Sequence, residues 1–292
     1  MGMKLPKLDY LYVDEFQDSC PVELAIVNTL IAEGARCTVF GDPYQAIYSF
    51  KGTASNSMEN FATKLDAERL PLSICYRCPQ AVIKEAQLIV PHIEAAPLAK
   101  EGFVDCIKMS EFITKANEND LVLCRVKADL IRSVLHFLSI GRRAYILGDD
   151  VTDGLKYLVE RTKCEDHTGI SEFLTLVKEL TDNTVKNNND KPERADMALD
   201  LQAAVELLAE DCSNVKHLKG KIDSLTKAND GICHMSIHKS KGLESIDGGN
   251  VYILRPDKLP LRRSKNQDEE MRLKYVAITR VKGSGGLVYV EN

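Results

Sequence analysis

Two adjacent carboxylates, Asp14 and Glu15, directly follow residues 10–13, an apolar run that predicts a short buried strand. Carboxylates side by side at the end of such a strand repel each other unless a cation offsets their charge. There the first acid can hold Mg²⁺, and the second can orient or activate a water molecule. The alternative is an acidic turn that caps a helix beginning near Glu23, and these residues alone leave both open.

A second polar group follows the next predicted strand, residues 36–40, which ends at the turn Gly41-Asp42-Pro43. Gln45 lies just beyond the turn, where an amide can sense a terminal phosphate. Phe50 and Lys51 come next, and an exposed aromatic followed by a cation can stack a nucleic-acid base and contact its phosphate. A turn containing buried aromatic residues would explain any three of these positions.

The elements that position these groups alternate between strand and helix. A strand at 9–13, a helix at 21–33 and a strand at 36–40, joined by short links, predict a parallel sheet. Further helices are predicted at 44–48 and 54–66. A second α/β unit begins near residue 70. Its predicted strands are 70–75, 103–109, 121–124, 144–147, 232–237, 251–254 and 287–290, and its predicted helices are 79–90, 129–138 and 267–279.

Residues 149–230 interrupt this pattern. They are polar and helix-prone, with an amphipathic helix at 195–209, and they predict a helical insertion within the second α/β unit.

Composition limits the classes of protein. The 292 residues allow about two domains. A net charge of −5 argues against electrostatic coating of nucleic acid, although a local groove could still grip a strand. Nine scattered cysteines and no membrane-spanning run predict free thiols in an intracellular, cytoplasmic protein. The one close pair, Cys75 and Cys78, has no second pair at ligand spacing, so a zinc site is not expected.

Five blocks, taken in chain order, together resemble motifs II to VI of superfamily 1 helicases of the UvrD/Rep type. They span nearly the whole chain, which makes the resemblance far more specific than any single block. The blocks are 14–18 (DEFQD), 41–52 (GDPYQAIYSFKG), 75–78 (CYRC), 235–244 (MSIHKSKGLE) and 269–280 (EEMRLKYVAITR).

The resemblance implies ATP and Mg²⁺ as cofactors. Asp14 would bind Mg²⁺ and Glu15 would activate the attacking water. Gln45 would contact the γ-phosphate and couple it to the strand-binding groove.

From the second lobe, the resemblance implies that Tyr76 stacks on adenine and Arg77 contacts the γ-phosphate. Gly242 and Glu244 would lie at the nucleotide, with Glu244 on the ribose. Arg280 would act as an arginine finger, a role that suits a rigid and permanently charged fork. Alternatively, Arg280 is an ordinary cation at the end of a helix.

The resemblance also implies single-stranded DNA as partner. The implied DNA-binding residues are Tyr48, Phe50, Lys51, His238 and Lys239. For Lys239, a solvated surface charge is the alternative.

The sequence lacks one motif that the resemblance leads us to expect. It has no Gly-x-x-x-x-Gly-Lys-Ser/Thr phosphate loop, which in the family precedes the acidic pair. The fold class expected is α/β, with two RecA-like parallel-sheet lobes, the first truncated. Residues 1–69 would be a remnant of the first lobe and 70–148 with 231–292 the second. Residues 149–230 would be a reduced helical accessory insertion.

Two functions remain open. The chain could be part of an ATP-dependent DNA helicase or translocase whose separately encoded N-terminal part carries the phosphate loop. Alternatively, it is a non-hydrolysing module that binds single-stranded DNA or a protein partner.

Overall fold

The computed structural model describes residues 6–49, 52, 56–188, 192–227 and 230–292, without the side chain of residue 193. The chain forms two compact units, Met1–Ser73 and Ile74–Asn292.

The first unit contains a two-stranded parallel sheet in which Tyr10 pairs with Arg36 and Val13 with Val39. Two 3₁₀ turns, Phe16–Asp18 and Pro43–Gln45, follow the strands. The regular elements are β1 (Tyr10–Val13), α1 (Pro21–Ala32), β2 (Arg36–Val39) and α2 (Ser57–Lys64).

The two faces of this sheet differ. Alternate strand residues point to opposite faces, so Leu11 and Val13 pack with α1 and α2 around Phe16 and Phe61. Tyr10, Tyr12 and Phe40 are exposed, and the rings of Tyr12 and Phe40 stack with centroids 6.5 Å apart. The described part of the first unit therefore buries one sheet face and leaves aromatic residues exposed beside it.

The second unit is built on a six-stranded, all-parallel sheet with the order β5-β10-β9-β6-β8-β7. A separate parallel pair, β3 and β4, joins Ile74 to Glu94 and Cys75 to Ala95. The strands are β3 (Ile74–Cys75), β4 (Glu94–Ala95), β5 (Phe103–Lys108), β6 (Leu121–Cys124), β7 (Ala144–Ile146), β8 (Ile232–Ser236), β9 (Val251–Leu254) and β10 (Gly286–Glu291). The helices are α3 (Gln80–Ala86), α4 (Met109–Lys115), α5 (Lys127–Ser139), α6 (Asp150–Thr162), α7 (Ile170–Asn187), α8 (Pro192–Ala209), α9 (Val215–Ser224), α10 (Ile237–Ser240) and α11 (Gln267–Ile278).

The central strands β6 and β9 are buried at every position, as expected of a parallel sheet covered on both faces. Phe112 of α4 and Phe137 of α5 meet edge to face at 5.4 Å in the same core. This sheet is a rigid base for the loops at its strand ends.

Four helices, α6 to α9, lie between β7 and β8 in the chain. Asp200 of α8 joins them to the sheet layer, because its carboxylate accepts the Lys127 and Ala128 backbone N–H groups at 2.7 and 2.8 Å. The first N–H groups of a helix have no acceptor within that helix, and these two lie at the start of α5. The inserted helices therefore cap a helix of the α/β unit. Among the described helices, none combines the length and apolar character needed to cross a membrane.

Most predicted elements match within a few residues, with two exceptions. The predicted strand 70–75 is wrong over 70–73, where Leu70 and Leu72 are 79% and 95% exposed; only β3 finds a strand to pair with. The predicted helix 44–48 is instead the 3₁₀ turn Pro43–Gln45. Helix α4 and the short strand β4 were not predicted from the sequence. Residues 54–55 of the predicted helix 54–66 lie outside the described residues.

Candidate functional site

The acidic pair of the first unit stands at the end of β1, and both side chains are exposed. Glu15 has φ 51° and ψ 37°, the left-handed conformation that non-glycine residues rarely adopt. The Glu15 N–H donates to Asp14 Oδ1 at 2.9 Å. The chain thus turns sharply between the two acids, and such local strain is frequent at functional sites.

Gln17 links the ends of the two strands. Its buried amide donates through Nε2 to the Glu15 carboxylate and accepts the Asp42 N–H at 3.1 Å through Oε1. Gly41 makes this possible, because a Cβ there would lie 2.2 Å from Gln17 Oε1. Sequence reasoning assigned Gln17 no role, since its link to Asp42 joins segments 25 residues apart.

Asp42 positions Gln45. One carboxylate oxygen accepts the Tyr44 N–H at 2.9 Å, and the other accepts Gln45 Nε2 at 2.9 Å. Asp14, Glu15 and Gln45 therefore all follow the carboxyl ends of two adjacent parallel strands. Tyr48 is partly buried three residues beyond Gln45. Phe50 and Lys51, the other predicted DNA-binding positions of this block, lie outside the described residues.

Arg77 in the second unit joins two distant segments. Its Nε lies 2.9 Å from Glu244 Oε2, and its guanidinium donates to the Thr279 carbonyl at 3.2 Å. Glu244 also accepts from Lys282, and this hydrogen bond, with the charge of Arg77, holds the pKa of Glu244 below its ordinary value. Sequence reasoning missed Lys282, which follows the last matched block by two residues.

Arg280 is 1% exposed and is held by oxygens of the second unit. Its Nε donates to Val276 O at 2.8 Å, and its terminal nitrogens donate to Leu243 O at 3.0 Å and Thr279 Oγ1 at 2.9 Å. Burial, with the charge of Arg77, lowers the pKa of Arg280 to about 10, so the group stays charged at neutral pH. Arg280 thereby fixes the end of α11 to the turn that carries Glu244.

Tyr76 precedes Arg77 in the sequence, and Gly242 lies two residues before Glu244. Tyr76, next to Arg77, is 82% exposed, so its ring is available for stacking. Gly242 has φ +78°, a conformation that favours glycine, in the turn between α10 and Glu244.

The predicted DNA-binding residues His238 and Lys239 lie on α10. Ser236 caps this turn by accepting the Lys239 N–H at 3.1 Å, and its hydroxyl donates to Asp150 Oδ2 at 2.5 Å. The stem of Lys239 crosses Gly148, where an added Cβ would lie 2.6 Å from Lys239 Cε.

His238 is neutral at physiological pH. Burial, reinforced by the positive charges of Arg125 and Lys127, lowers the pKa of His238 to about 3. Arg125 is fixed in turn by the buried Glu270 carboxylate, to which it donates at 2.7 and 3.2 Å. His238 therefore offers a neutral ring rather than a cation.

Comparison with known proteins identifies the family. The UvrD-like helicase C-terminal domain family matches residues 58–291, and the UvrD/REP helicase N-terminal domain family matches residues 5–66. The chain belongs to the UvrD-like helicase family. This confirms the resemblance drawn from the five blocks, and the six-stranded parallel sheet confirms the predicted RecA-like fold class.

Individual relatives of this UvrD-like chain cover it to different extents. The F-box DNA helicase protein 1 of Schizosaccharomyces pombe is 24% identical over 309 residues, covering 94% of this chain and 33% of the relative. The ATP-dependent DNA helicase Rep of Escherichia coli is 30% identical over 138 residues, covering 46% and 20%. The ATP-dependent DNA helicase PcrA of Leuconostoc citreum is 32% identical over 87 residues, covering 30% and 12%. The chain thus spans a third or less of the length of these relatives.

Proposed function

We propose that this UvrD-like chain works as part of an ATP-dependent DNA helicase or translocase that couples ATP hydrolysis to movement along single-stranded DNA. The observation that supports this most is the meeting of Arg77, Glu244 and Arg280 in the second unit. These residues come from three separate blocks, yet one ion pair, Arg77–Glu244, and hydrogen bonds to the Thr279 and Leu243 carbonyls join them.

The second unit would bind the nucleotide through Arg77 and Glu244, whose opposite charges already partly neutralise each other. Arg77 is paired with Glu244 and half exposed, so a triphosphate oxygen can replace Glu244 as its partner. The exposed ring of Tyr76 would stack on adenine. Glu244, released from Arg77 but still held by Lys282, would accept a ribose hydroxyl near Gly242.

Arg280 would stabilise the charge of the transferring phosphoryl group. Its guanidinium is engaged with backbone and hydroxyl oxygens, so this role requires it to exchange one of them for a phosphate oxygen. Arginine suits this exchange because it offers five donors in a fixed fork.

The first unit would supply the hydrolytic groups. Asp14 fits a magnesium ligand, since its carboxylate is exposed at a strand end and Mg²⁺ prefers oxygen ligands. Such an ion neutralises the charge on the phosphates when bound. Glu15, oriented by Gln17, would accept the proton of the attacking water, and Gln45, oriented by Asp42, would contact the γ-phosphate.

DNA would be held by the aromatic and cationic residues after β2 and on α10. Tyr48 and Phe50 would stack bases, Lys51 and Lys239 would contact phosphates, and the neutral ring of His238 would hydrogen-bond to the strand.

We propose the division stated from the sequence: a first-lobe segment at 1–69, a second lobe at 70–148 and 231–292, and a reduced insertion at 149–230. A separate segment would supply the Gly-rich phosphate loop, which the sequence does not contain. The reducing interior of a cell, with the cytoplasm as its site, suits a protein whose nine cysteines are unpaired.

The test is a DNA-stimulated ATPase assay on the chain alone and mixed with an N-terminal family segment that carries the phosphate loop. We expect negligible turnover alone and DNA-dependent turnover in the mixture. Arg77→Ala should lower that turnover by at least about tenfold, since one charged contact to phosphate is worth roughly 1.5–3 kcal/mol. Arg132→Ala is the matched control, because Arg132 forms an exposed ion pair with Asp129 elsewhere in the second unit.

The missing phosphate loop and the buried Arg280 favour one second candidate, a non-hydrolysing module that binds single-stranded DNA. A mixture that associates and binds DNA but never turns over ATP would support that candidate. Robust turnover by the chain alone would contradict the need for a separate phosphate loop.

A further inference from the structure

Two cysteines enclose the proposed adenine- and phosphate-binding residues of the second unit. Cys75 ends β3, Cys78 precedes α3, and Tyr76 and Arg77 lie between them. Cys75 and Cys78 are three positions apart, at the two ends of the bend that carries Tyr76 and Arg77, which is the Cys-x-x-Cys spacing of thiol–disulfide pairs.

Cys78 shares a partner with Arg77. The buried Cys78 thiol lies 3.6 Å from the Thr279 carbonyl, and Arg77 donates to the same carbonyl at 3.2 Å. The backbone of Arg77 is also tied to this region, because the Gly283 N–H donates to the Arg77 carbonyl at 3.0 Å. Any change at Cys78 is thus transmitted to Arg77 and to the residue before Arg280.

The two thiols differ in reactivity. The hydrogen bond from Cys78, with those from the backbone N–H groups, lowers the pKa of Cys75 to about 5. The same hydrogen bond, with burial, raises the pKa of Cys78. These opposite shifts favour the thiolate at Cys75 and the neutral thiol at Cys78. Cys106, an exposed cysteine on β5, provides a contrast, because desolvation raises its pKa.

We propose that Cys75 and Cys78 form a reversible dithiol–disulfide pair that controls the position of Arg77, and with it nucleotide use by the second unit. The control of nucleotide use rests on the proposed ATPase function; formation of the disulfide does not. A Cys-x-x-Cys arrangement with one thiolate and one protonated thiol is the pattern of thiol–disulfide exchange.

A low-molecular-weight disulfide such as oxidised glutathione is the oxidant. The Cys75 thiolate attacks one sulfur of this disulfide, forms a mixed disulfide and releases one glutathione thiolate. Cys78 then gives its proton to that thiolate and attacks the Cys75 sulfur, which expels the second glutathione as a thiolate. The protein loses two electrons, which reduce oxidised glutathione to one thiol and one thiolate, and the thiolate takes its proton from water.

Oxidation changes the surroundings of Arg77 in two ways. The bond to Cys75 repositions the Cys78 sulfur beside the Thr279 carbonyl that Arg77 shares, and the negative charge of Cys75, which attracts Arg77, disappears. We expect Arg77 and the adjoining turn that carries Glu244 to become more mobile in the disulfide form. The oxidised chain would therefore use nucleotide less well than the reduced chain.

The first test is oxidation of the whole chain in glutathione buffers of increasing oxidised fraction, followed by peptide mapping. We expect one peptide containing Cys75 and Cys78 to lose about 2 Da, the mass of two hydrogens, and to recover it with reductant. Cys106→Ser should still show the change, whereas Cys75→Ser and Cys78→Ser should not. A pair that stays reduced, or a mixed disulfide that persists on Cys75, would overturn the proposal.

A labelling experiment on the unchanged chain guards against variants that misfold. At about pH 6, iodoacetamide should modify Cys75 faster than Cys106, because only a thiolate reacts quickly. Equal labelling rates would contradict a thiolate at Cys75.

Hydrogen exchange then tests the link to Arg77 without nucleotide. Amides of 240–245 and 279–283 should exchange at least about threefold faster in the disulfide form, whereas those of β6 should not change. Unchanged exchange in the mapped disulfide form would overturn the coupling. If turnover is absent in both redox states while mapping and exchange behave as stated, the ATPase proposal fails and the disulfide inference stands.

Discussion

The two units position their candidate residues by different means. In the first unit, Asp14, Glu15 and Gln45 follow strand ends, and backbone turns and short-range hydrogen bonds fix them. In the second unit, Arg77 and Glu244 meet only because segments far apart in the sequence converge beside a fully buried sheet. The first arrangement depends on local geometry, and the second depends on the packing of the whole unit.

The two units also differ in how much of their sheets is buried. Within the described residues, the sheet of the first unit has two strands and leaves Tyr10, Tyr12 and Phe40 exposed. The sheet of the second unit has six strands and buries both faces of its centre. Substitutions should therefore affect the chemistry of the first unit without unfolding the second, and the reverse should also hold.

The largest expected effect is on catalysis in the first unit. In the mixture with the phosphate-loop segment, Glu15→Gln should lower single-turnover ATP hydrolysis by about 10²–10⁴-fold, because an amide cannot accept the proton of the attacking water. Gln at this position can still accept the Gln17 amide, so the local geometry should persist.

Glu33→Gln is the matched control, since Glu33 is an exposed acid at the end of α1. Turnover retained in Glu15→Gln would remove Glu15 from the proposed chemistry. The loss of turnover without any change in the thermal unfolding of the second unit would strengthen the contrast between the units.

The second expected effect is a loss of stability at acid pH that is confined to the second unit. His234 is fully buried between Ser133 Oγ at 2.9 Å and Ile232 O at 3.0 Å, and burial lowers its pKa from 6.5 to about 4. Between these values the unfolded chain takes up a proton and the folded chain does not, so the free energy of unfolding falls as pH drops from 6.5 to 4. The slope contributed by this one group approaches about 1.4 kcal/mol per pH unit.

Denaturant unfolding between these pH values, followed by hydrogen exchange at β6 and β8, measures this loss. His234→Gln should flatten the slope without removing it, because the partly buried His238 also has a lowered pKa. His136→Gln, at an exposed position of α5, should leave the slope unchanged. An equal slope in all three proteins would contradict a neutral, buried His234.

Sequence reasoning succeeded where a local pattern decides the structure. Strands β6 and β9 were predicted at their observed bounds because they are continuous apolar runs that end abruptly. The acidic pair was recognised from its place after a strand. Motif order then identified the family before any tertiary contact was known.

The rest depends on tertiary contacts. Gln17 acts on Asp42, 25 residues away, and Lys282 pairs with Glu244, 38 residues away. Residues 70–73 are apolar enough for a strand, yet the structure gives them no strand to pair with. No local periodicity encodes such partners.

The third effect again concerns the first unit. Gly41→Ala would place a Cβ 2.2 Å from the buried Gln17 Oε1, which must move and lose its hydrogen bond from Asp42. We expect a loss of about 1–3 kcal/mol in the stability of the first unit, as for overpacking. Exchange of β1 and β2 amides should rise while β6 and β9 stay protected.

Gly220→Ala is the control for this substitution, because nothing lies within 4 Å of a Cβ at Gly220 in helix α9. It should be neutral or slightly stabilising, since alanine is the better helix former. If Gly41→Ala leaves β1 and β2 fully protected, Gln17 does not link the two strands.

The smallest effect tests whether the ion pairs of the second unit stabilise it or merely position its side chains. Lys282→Met removes the hydrogen bond that most lowers the pKa of Glu244, while the Arg77–Glu244 pair remains. Because these side chains are more than a third exposed, the loss of stability should be at most about 1 kcal/mol.

The pH dependence of this loss has a definite sign. A lowered pKa for Glu244 contributes stability above its ordinary value of 4.5 and loses it as pH falls, so Lys282→Met should differ from the parent at pH 7 and converge with it in acid. Lys108→Met, which breaks the exposed Lys108–Glu291 pair, is the control. A cost well above about 1 kcal/mol would mean that Lys282 stabilises the fold and does not only orient Glu244. A small cost combined with weaker nucleotide use would show that packing holds the second unit together and the ion pairs direct its chemistry.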